Sequence, residues 1–252
     1  MENQKKKPIL QVRNLHKTYG SGENEVKALD GVDLDICEGE LFVILGSSGS
    51  GKSTLLNLLG CLDTPTSGEY YLDEISVRSM DGNRRATLRN RKIGFVFQSY
   101  NLLPKTTALE NVELPLFYNP TVSSSARKQK AKEALEAVGL ADRLNHRSNQ
   151  MSGGQQQRVA IARALVNDPV LILADEATGN LDTRTSYEIL ALFQKLHQEG
   201  RTIVFVTHNP EIASFSSRNI VLKDGRIIDD KLNEKIMSAA EALAAMPPEE
   251  DN

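Results

Sequence analysis

The segment Gly46-Ser47-Ser48-Gly49-Ser50-Gly51-Lys52-Ser53 limits what this chain can fold into more than any other. It follows a continuous apolar run at 41–45 and precedes Thr54-Leu55-Leu56-Asn57-Leu58-Leu59. A run apolar at every position reads as a strand buried on both faces, and the segment behind the loop reads as a helix. Glycines at the first and sixth positions, followed by Lys and Ser in this strand-loop-helix context, form a phosphate-wrapping P-loop. The glycines let backbone N–H groups turn inward, and the helix starting near Lys52 adds its positive dipole end. A flexible Ser/Gly linker has no need of Lys-Ser at that offset. The candidate nucleotide-binding residues are therefore Gly46, Ser47, Ser48, Gly49, Ser50, Gly51, Lys52, Ser53 and Thr54, with ATP and Mg²⁺ as ligands. Lys52 is expected at the β- and γ-phosphates and Ser53 on the metal.

A second apolar run, 170–174, delivers Asp175 and Glu176 at its end, and a third, 202–207, delivers His208. Acids capping a strand are common and often structural. Beside a P-loop in an open parallel sheet, however, carboxyl ends of strands converge on the ligand. Asp175 is placed to hold Mg²⁺ through water, and Glu176 to orient or deprotonate the attacking water.

Between and around these runs, residues 9–15 and 29–36 alternate apolar and polar, the period of half-buried antiparallel strands. Residues 93–97 form another strand candidate, while 126–138, 155–165 and 185–198 read as helices. Strands alternating with helices imply a mostly parallel sheet. The expected architecture is an α/β P-loop NTPase domain over 1–230, with an N-terminal antiparallel β subdomain and a helical subdomain at about 99–165. Residues 231–252, Ala-rich and then Pro/Glu-rich, are expected as a C-terminal tail frayed at its end.

Composition narrows the function classes. A net charge of −3 gives no global attraction to nucleic acid. The two cysteines, Cys37 and Cys61, lack metal-type spacing and read as core fillers. No apolar run approaches the ~20 residues of a membrane helix, and the N-terminus has no stretch of signal-peptide length, so secretion is not expected. Lys5-Lys6-Lys7 reads as a solvated charge run, with anionic lipid as the alternative contact. The basic cluster Arg84, Arg85, Arg89, Arg91 and Lys92 reads either as a solvated helix face or as a surface for a membrane partner.

Met151-Ser152-Gly153-Gly154-Gln155 opens one of the helical segments and resembles the signature of ABC ATPases, usually Leu-Ser-Gly-Gly-Gln. Met for Leu keeps a similar-sized apolar side chain. A serine and two glycines at a helix start make a second anion site. The resemblance, covering roughly 9–230, implies that the Ser152, Gly153, Gly154 and Gln155 of one subunit close over ATP held by the P-loop of another, in a head-to-tail homodimer. It also assigns Tyr19 to adenine stacking, Gln98 to the Q loop and the metal, Asp182 to the dimer contact and His208 to the γ-phosphate. Each has a plainer alternative: a strand-end aromatic for Tyr19, a loop amide for Gln98, a helix cap for Asp182, a solvated imidazole for His208.

The runs Gly60 to Gly68, Phe97 to Pro104 and Thr178 to Asp182 look like the macrolide-exporter and lipoprotein-release branch, although Ala177 stands where that branch usually has Pro. The resemblance implies an ATP-hydrolysing subunit on the cytoplasmic face of the cell membrane, driving an integral-membrane permease with an extracytoplasmic domain. A membrane-fusion or adaptor protein is a further candidate partner. The alternative is a non-transport ABC ATPase that regulates cell division or signals through a membrane partner. Tyr100, Leu102, Leu103, Leu109 and Val112, just beyond Gln98, are expected to form the permease-docking groove, or else to pack the helical subdomain.

Overall fold

The computed structural model describes residues 7–247. In chain order these form β1 (Pro8–Tyr19), β2 (Val26–Cys37), β3 (Leu41–Leu45), α1 (Lys52–Leu59), β4 (Ser67–Leu72), β5 (Ile75–Ser76), α2 (Gly82–Lys92) and β6 (Ile93–Phe97). There follow α3 (Ala108–Glu113), α4 (Ser124–Ala137), α5 (Gly153–Leu165), β7 (Leu171–Asp175), α6 (Thr183–Gln198), β8 (Ile203–Thr207), β9 (Arg218–Lys223), β10 (Arg226–Leu232) and α7 (Ala239–Ala244).

Two sheets result. The antiparallel one has the order β2-β1-β4-β5, and the other β10-β9-β3-β8-β7-β6, parallel except for the β9–β10 hairpin. The continuous apolar runs are explained by which face each residue meets. On β3, Leu41 and Val43 join a core with α3 to α6, whereas Phe42 and Ile44 join a second core with β1, β2, β4 and α1. A strand covered on both faces has no polar position to spare.

The N-terminal strands run beyond 9–15 and 29–36. Alternation breaks at Asn14, whose left-handed φ of 45° sits in a register shift of the β1–β2 ladder. Such a bulge inserts an unpaired residue and changes which face later side chains take. The polar end of β1 is held by backbone pairing, His16 to Asp30 and Tyr19 to Val26, so burial leaves no sequence signature there.

The stretch expected as a tail from 231 begins inside β10. Asn233 then donates to the carbonyls of Ala213 (2.6 Å) and Ser216 (2.7 Å). Gln194 on α6 donates to the Met237 carbonyl and accepts from Ala239 N–H, which seats α7 against α6 with Ala239 fully buried. Residues 248–252 lie outside the described residues, as do Lys5 and Lys6; Lys7 pairs with Glu74 at 3.2 Å. Among the described residues, no helix is long and apolar enough to cross a membrane.

Candidate active site

The P-loop turns between β3 and α1 through left-handed glycines, Gly49 (φ 80°) and Gly51 (φ 103°). A Cβ on Gly51 would stand 2.5 Å from the Ala28 carbonyl oxygen, so only glycine lets the loop lie against β2. The β9–β10 turn fixes it from the other side: Gly225 N–H donates to the Ser50 carbonyl, and the Gly225 carbonyl accepts from Asp30 N–H. Lys52, nearly buried, points its ammonium back over the loop and donates to the carbonyls of Gly46 (2.7 Å) and Ser47 (2.8 Å).

Three neighbouring parallel strands carry the remaining groups to the same edge of the sheet. β6 ends just before Gln98, β7 ends on Asp175 with Glu176 next, and β8 ends just before His208. Glu176 takes a left-handed φ of 44°, and its carboxylate Oε1 lies 2.7 Å from His208 Nδ1. The Gln98 amide donates to Asn180 Oδ1 and the Asn180 amide donates to the Gln98 carbonyl, both at 3.1 Å. One cleft of about 1070 Å³ is lined by Ser47 to Gly49 and Gly51 to Thr54 on one side. Gln98, Asp175, Glu176 and His208 line the other, in a volume ample for a nucleoside triphosphate.

Burial pushes the Asp175 carboxyl above its ordinary pKa, the adjacent Glu176 charge adds to this, and Lys52 opposes it. No group of three or more His, Cys, Asp or Glu able to hold a metal exists among the described residues. One carboxylate, one hydroxyl and one amide beside a phosphate cradle suit Mg²⁺, which keeps several waters and phosphate oxygens. A carboxyl with a raised pKa costs nothing where it is protonated in both folded and unfolded chains, and it destabilises as pH rises through the carboxylate range. Asp175→Asn is therefore expected to raise the melting temperature, by calorimetry without nucleotide, at about pH 7 and to lose that gain near about pH 3. An unchanged or lower melting temperature at neutral pH contradicts this.

The other expected site residues stand apart from this cleft. Tyr19 is 41% exposed, donates its hydroxyl to Asp63 at 2.8 Å and neighbours Thr54 at the end of the P-loop, with the Lys17 ammonium 4.8 Å from its ring centroid. Ser152 caps α5, accepting from Gln155 N–H while Gln155 Oε1 accepts from Ser152 N–H. None of Ser152, Gly153, Gly154 and Gln155 lines the P-loop cleft. Asp182 also lies outside it and caps α6, where hydrogen bonds from Thr185 hold its carboxyl below its ordinary pKa. Met151 is buried in the core.

The profile of the ABC transporter family matches residues 29–179. The chain belongs to the ABC transporter family. A Thermotoga maritima "uncharacterized ABC transporter ATP-binding protein" is 59% identical over 221 residues, covering 88% of this chain and 94% of that one. The Hyphomonas neptunium macrolide export ATP-binding/permease protein MacB is 49% identical over 228 residues, 90% of this chain but only 35% of that longer protein. A dimeric, post-hydrolysis structure of the ATP-binding cassette MJ0796 with ADP and Pi aligns at TM-score 0.80 and 48% identity, covering 88% of this chain and 98% of that one. The cbiO1 subunit of the Clostridium perfringens cbiONQ transporter complex aligns at TM-score 0.80 and 29% identity, over 94% and 91%. This chain is accordingly an ATP-binding ATPase subunit of that family.

The P-loop cleft of the ABC ATPase is also lined by residues that the sequence did not single out. Val26, Lys27 and Ala28 of β2, with Asp224 and Gly225 of the β9–β10 turn, complete the P-loop cleft. Asp-Gly between two strands is a hairpin signal, but that this turn reaches the P-loop is decided by the sheet.

The expected docking residues separate in the same way. Val112 is buried in the core of the helical region, Leu102 and Leu109 pack half-buried against it, and Tyr100 does not line the groove beside it. That groove, about 1020 Å³, runs between α2, β6 and the 3₁₀ turn Leu114–Tyr118. It is lined by Leu62, Phe97, Leu103, Leu114 and Tyr118 with Arg89 and Arg163.

Proposed function

We propose that this ABC ATPase works as a head-to-tail homodimer in which Ser152 to Gln155 of each subunit complete the ATP site on the other's P-loop. The observation that carries this reading is the separation, within one chain, of the P-loop cleft from the capped N-terminus of α5. Each is an anion site by its own backbone. Neither alone surrounds a triphosphate with donors on every side.

Within each composite site, the P-loop amides and Lys52 bind the phosphate chain, and Tyr19 packs on the base. Ser53, Gln98 and Asp175 hold Mg²⁺, which supplies charge neutralisation of the phosphate oxygens when bound. Glu176 accepts a proton from, or orients, the attacking water. His208 pairs through Nδ1 with the Glu176 carboxylate, steadying the base, and contacts the γ-phosphate. The closing signature adds donors where negative charge develops. Asp182 reaches across the dimer while capping α6.

Hydrolysis drives a separate integral-membrane permease that carries an extracytoplasmic domain, and the subunit sits at the cytoplasmic face of the membrane through that partner. Likeness to a macrolide export ATP-binding/permease protein favours export; lipoprotein release, mechanical transmission and a membrane-fusion or adaptor partner rest on the sequence resemblance to the macrolide-exporter and lipoprotein-release branch alone. The docking element occupies the groove beside Leu103, where Leu103 and Tyr118 are 46% and 79% exposed. Exposed apolar side chains at a groove mark a protein contact. Leu103→Asp is expected to leave folding and basal turnover intact and to abolish co-purification with the permease encoded for this subunit. Unchanged co-purification counts against this groove.

A further inference from the structure

Gln157 lies in the second turn of α5, one helical turn beyond Gly153, and is fully buried. Its Nε2 donates to the Ala177 carbonyl at 2.7 Å. Its Oε1 is buried with no hydrogen-bond partner. A buried amide with one end unsatisfied costs stability, and an apolar side chain of the same shape would serve the core at least as well. Val159, Ala160 and Ile161, which follow on the same helix, are all buried too. Core packing therefore gives no reason for a glutamine here, and its one hydrogen bond must supply the reason.

That bond falls on the carbonyl of Ala177, one residue beyond Glu176. A non-glycine residue in the left-handed region is strained and persists only where the surroundings over-determine it. Glu176, at φ 44°, is held through its own N–H to the Val206 carbonyl and through its carbonyl from Gly179 N–H. Gln157 adds a side-chain bond to the next carbonyl along and so fixes the Ala177–Thr178 peptide plane, one residue beyond the carboxylate. It also ties that plane to the helix whose first turn is Gly153-Gly154-Gln155. At Gly154 a Cβ would stand 2.5 Å from Thr185 Cγ2, so α5 has little freedom to shift against α6.

We infer that Gln157 is a positioning residue for hydrolysis: through the Ala177 carbonyl it sets the aim of Glu176 and links it to the α5 N-terminus of the same subunit. This rests on Glu176 acting on the attacking water. A nucleotide docked on that N-terminus, held by the P-loop of the opposite subunit, thereby bears on the base of the subunit's own site. The link runs through one helical turn and one hydrogen bond.

The test compares Gln157→Met, which keeps length and removes the donor, with Gln157→Glu. Gln157→Met is expected to fold with an unchanged or higher melting temperature, to keep KM for ATP within about twofold and to lose at least about tenfold in kcat. The carboxyl introduced by Gln157→Glu is buried, so it titrates above the ordinary carboxylate range, and its protonated form donates to the Ala177 carbonyl. The kcat of Gln157→Glu relative to wild type should therefore recover as pH falls from about 8 to about 6. In a Glu176→Gln background, Gln157→Met should cost no further turnover and leave ATP-driven dimerisation intact. Wild-type kcat in folded Gln157→Met, a loss that appears in KM alone, or failure of both variants to fold overturns the inference. Wild-type turnover in Glu176→Gln alone instead overturns the role of Glu176, so the two failures are separable.

Discussion

Lys52→Ala is expected to lower ATP turnover by at least about 100-fold while the protein remains folded, since one preorganised donor at a reacting oxyanion is commonly worth that much. Lys52 comes from the first turn of α1 and its ammonium lies over the P-loop, bonded to the Gly46 and Ser47 carbonyls. Those carbonyls cannot neutralise a triphosphate, so removing the ammonium removes the one cation in the cleft wall formed by the loop. The hydrophobic cores are untouched, because the Leu55, Leu56, Leu58 and Leu59 side chains that seat α1 stay in place. Two carbonyls lose a charged partner at the edge of an open cleft, where water can replace it, so the stability change should stay near about 1 kcal/mol. The measurement is phosphate release at saturating ATP, paired with a melting curve. Wild-type turnover in a folded Lys52→Ala protein defeats the assignment.

Glu176→Gln is expected to abolish turnover to a similar degree and, in addition, to accumulate an ATP-bound dimer. The amide keeps the size of the carboxylate and a polar contact to His208, but it cannot accept a proton from water. ATP binding is retained because the P-loop is unaltered. The closed dimer then has no hydrolysis step to open it, and light scattering should report an ATP-dependent doubling of mass. Adding Ser152→Arg should prevent closure, since Ser152 caps α5 at an exposed position and a bulky cation there obstructs phosphate docking. A Glu176→Gln protein that binds ATP and stays monomeric at high concentration would sink the composite site.

The chemistry of this site was legible because it is written in short, contiguous words. The P-loop, the two acids behind β7 and the histidine behind β8 each follow an apolar run, and a strand covered on both faces announces itself by having no polar residue. The signature was legible for the same reason, being five adjacent residues at a helix start. Periodicity also placed β3, β6, β7 and β8 within a residue or so, because both of their faces are buried.

The rest depends on pairs far apart in sequence. The polar half of β1 is a strand only because β2 offers it a backbone ladder, and β4 and β5 exist around a two-residue turn, Asp73 and Glu74, with both φ values positive. Residues 231–247 were expected as a tail, yet Asn233 and Ala239 find their partners on the loop after β8 and on α6. Leu102, Leu109 and Val112 were expected at the groove, yet Val112 on α3 is buried in the core and Leu102 and Leu109 pack half-buried against it. Gln157 gives no sequence signal of its own, since its meaning lies in a carbonyl twenty residues away. Local propensity and hydrophobic period are properties of neighbouring residues and can be read from the chain. Backbone pairing, capping of distant segments and the choice of which apolar side chain is covered are free energies of contact between segments, and these take a value only once the tertiary structure has brought the segments together.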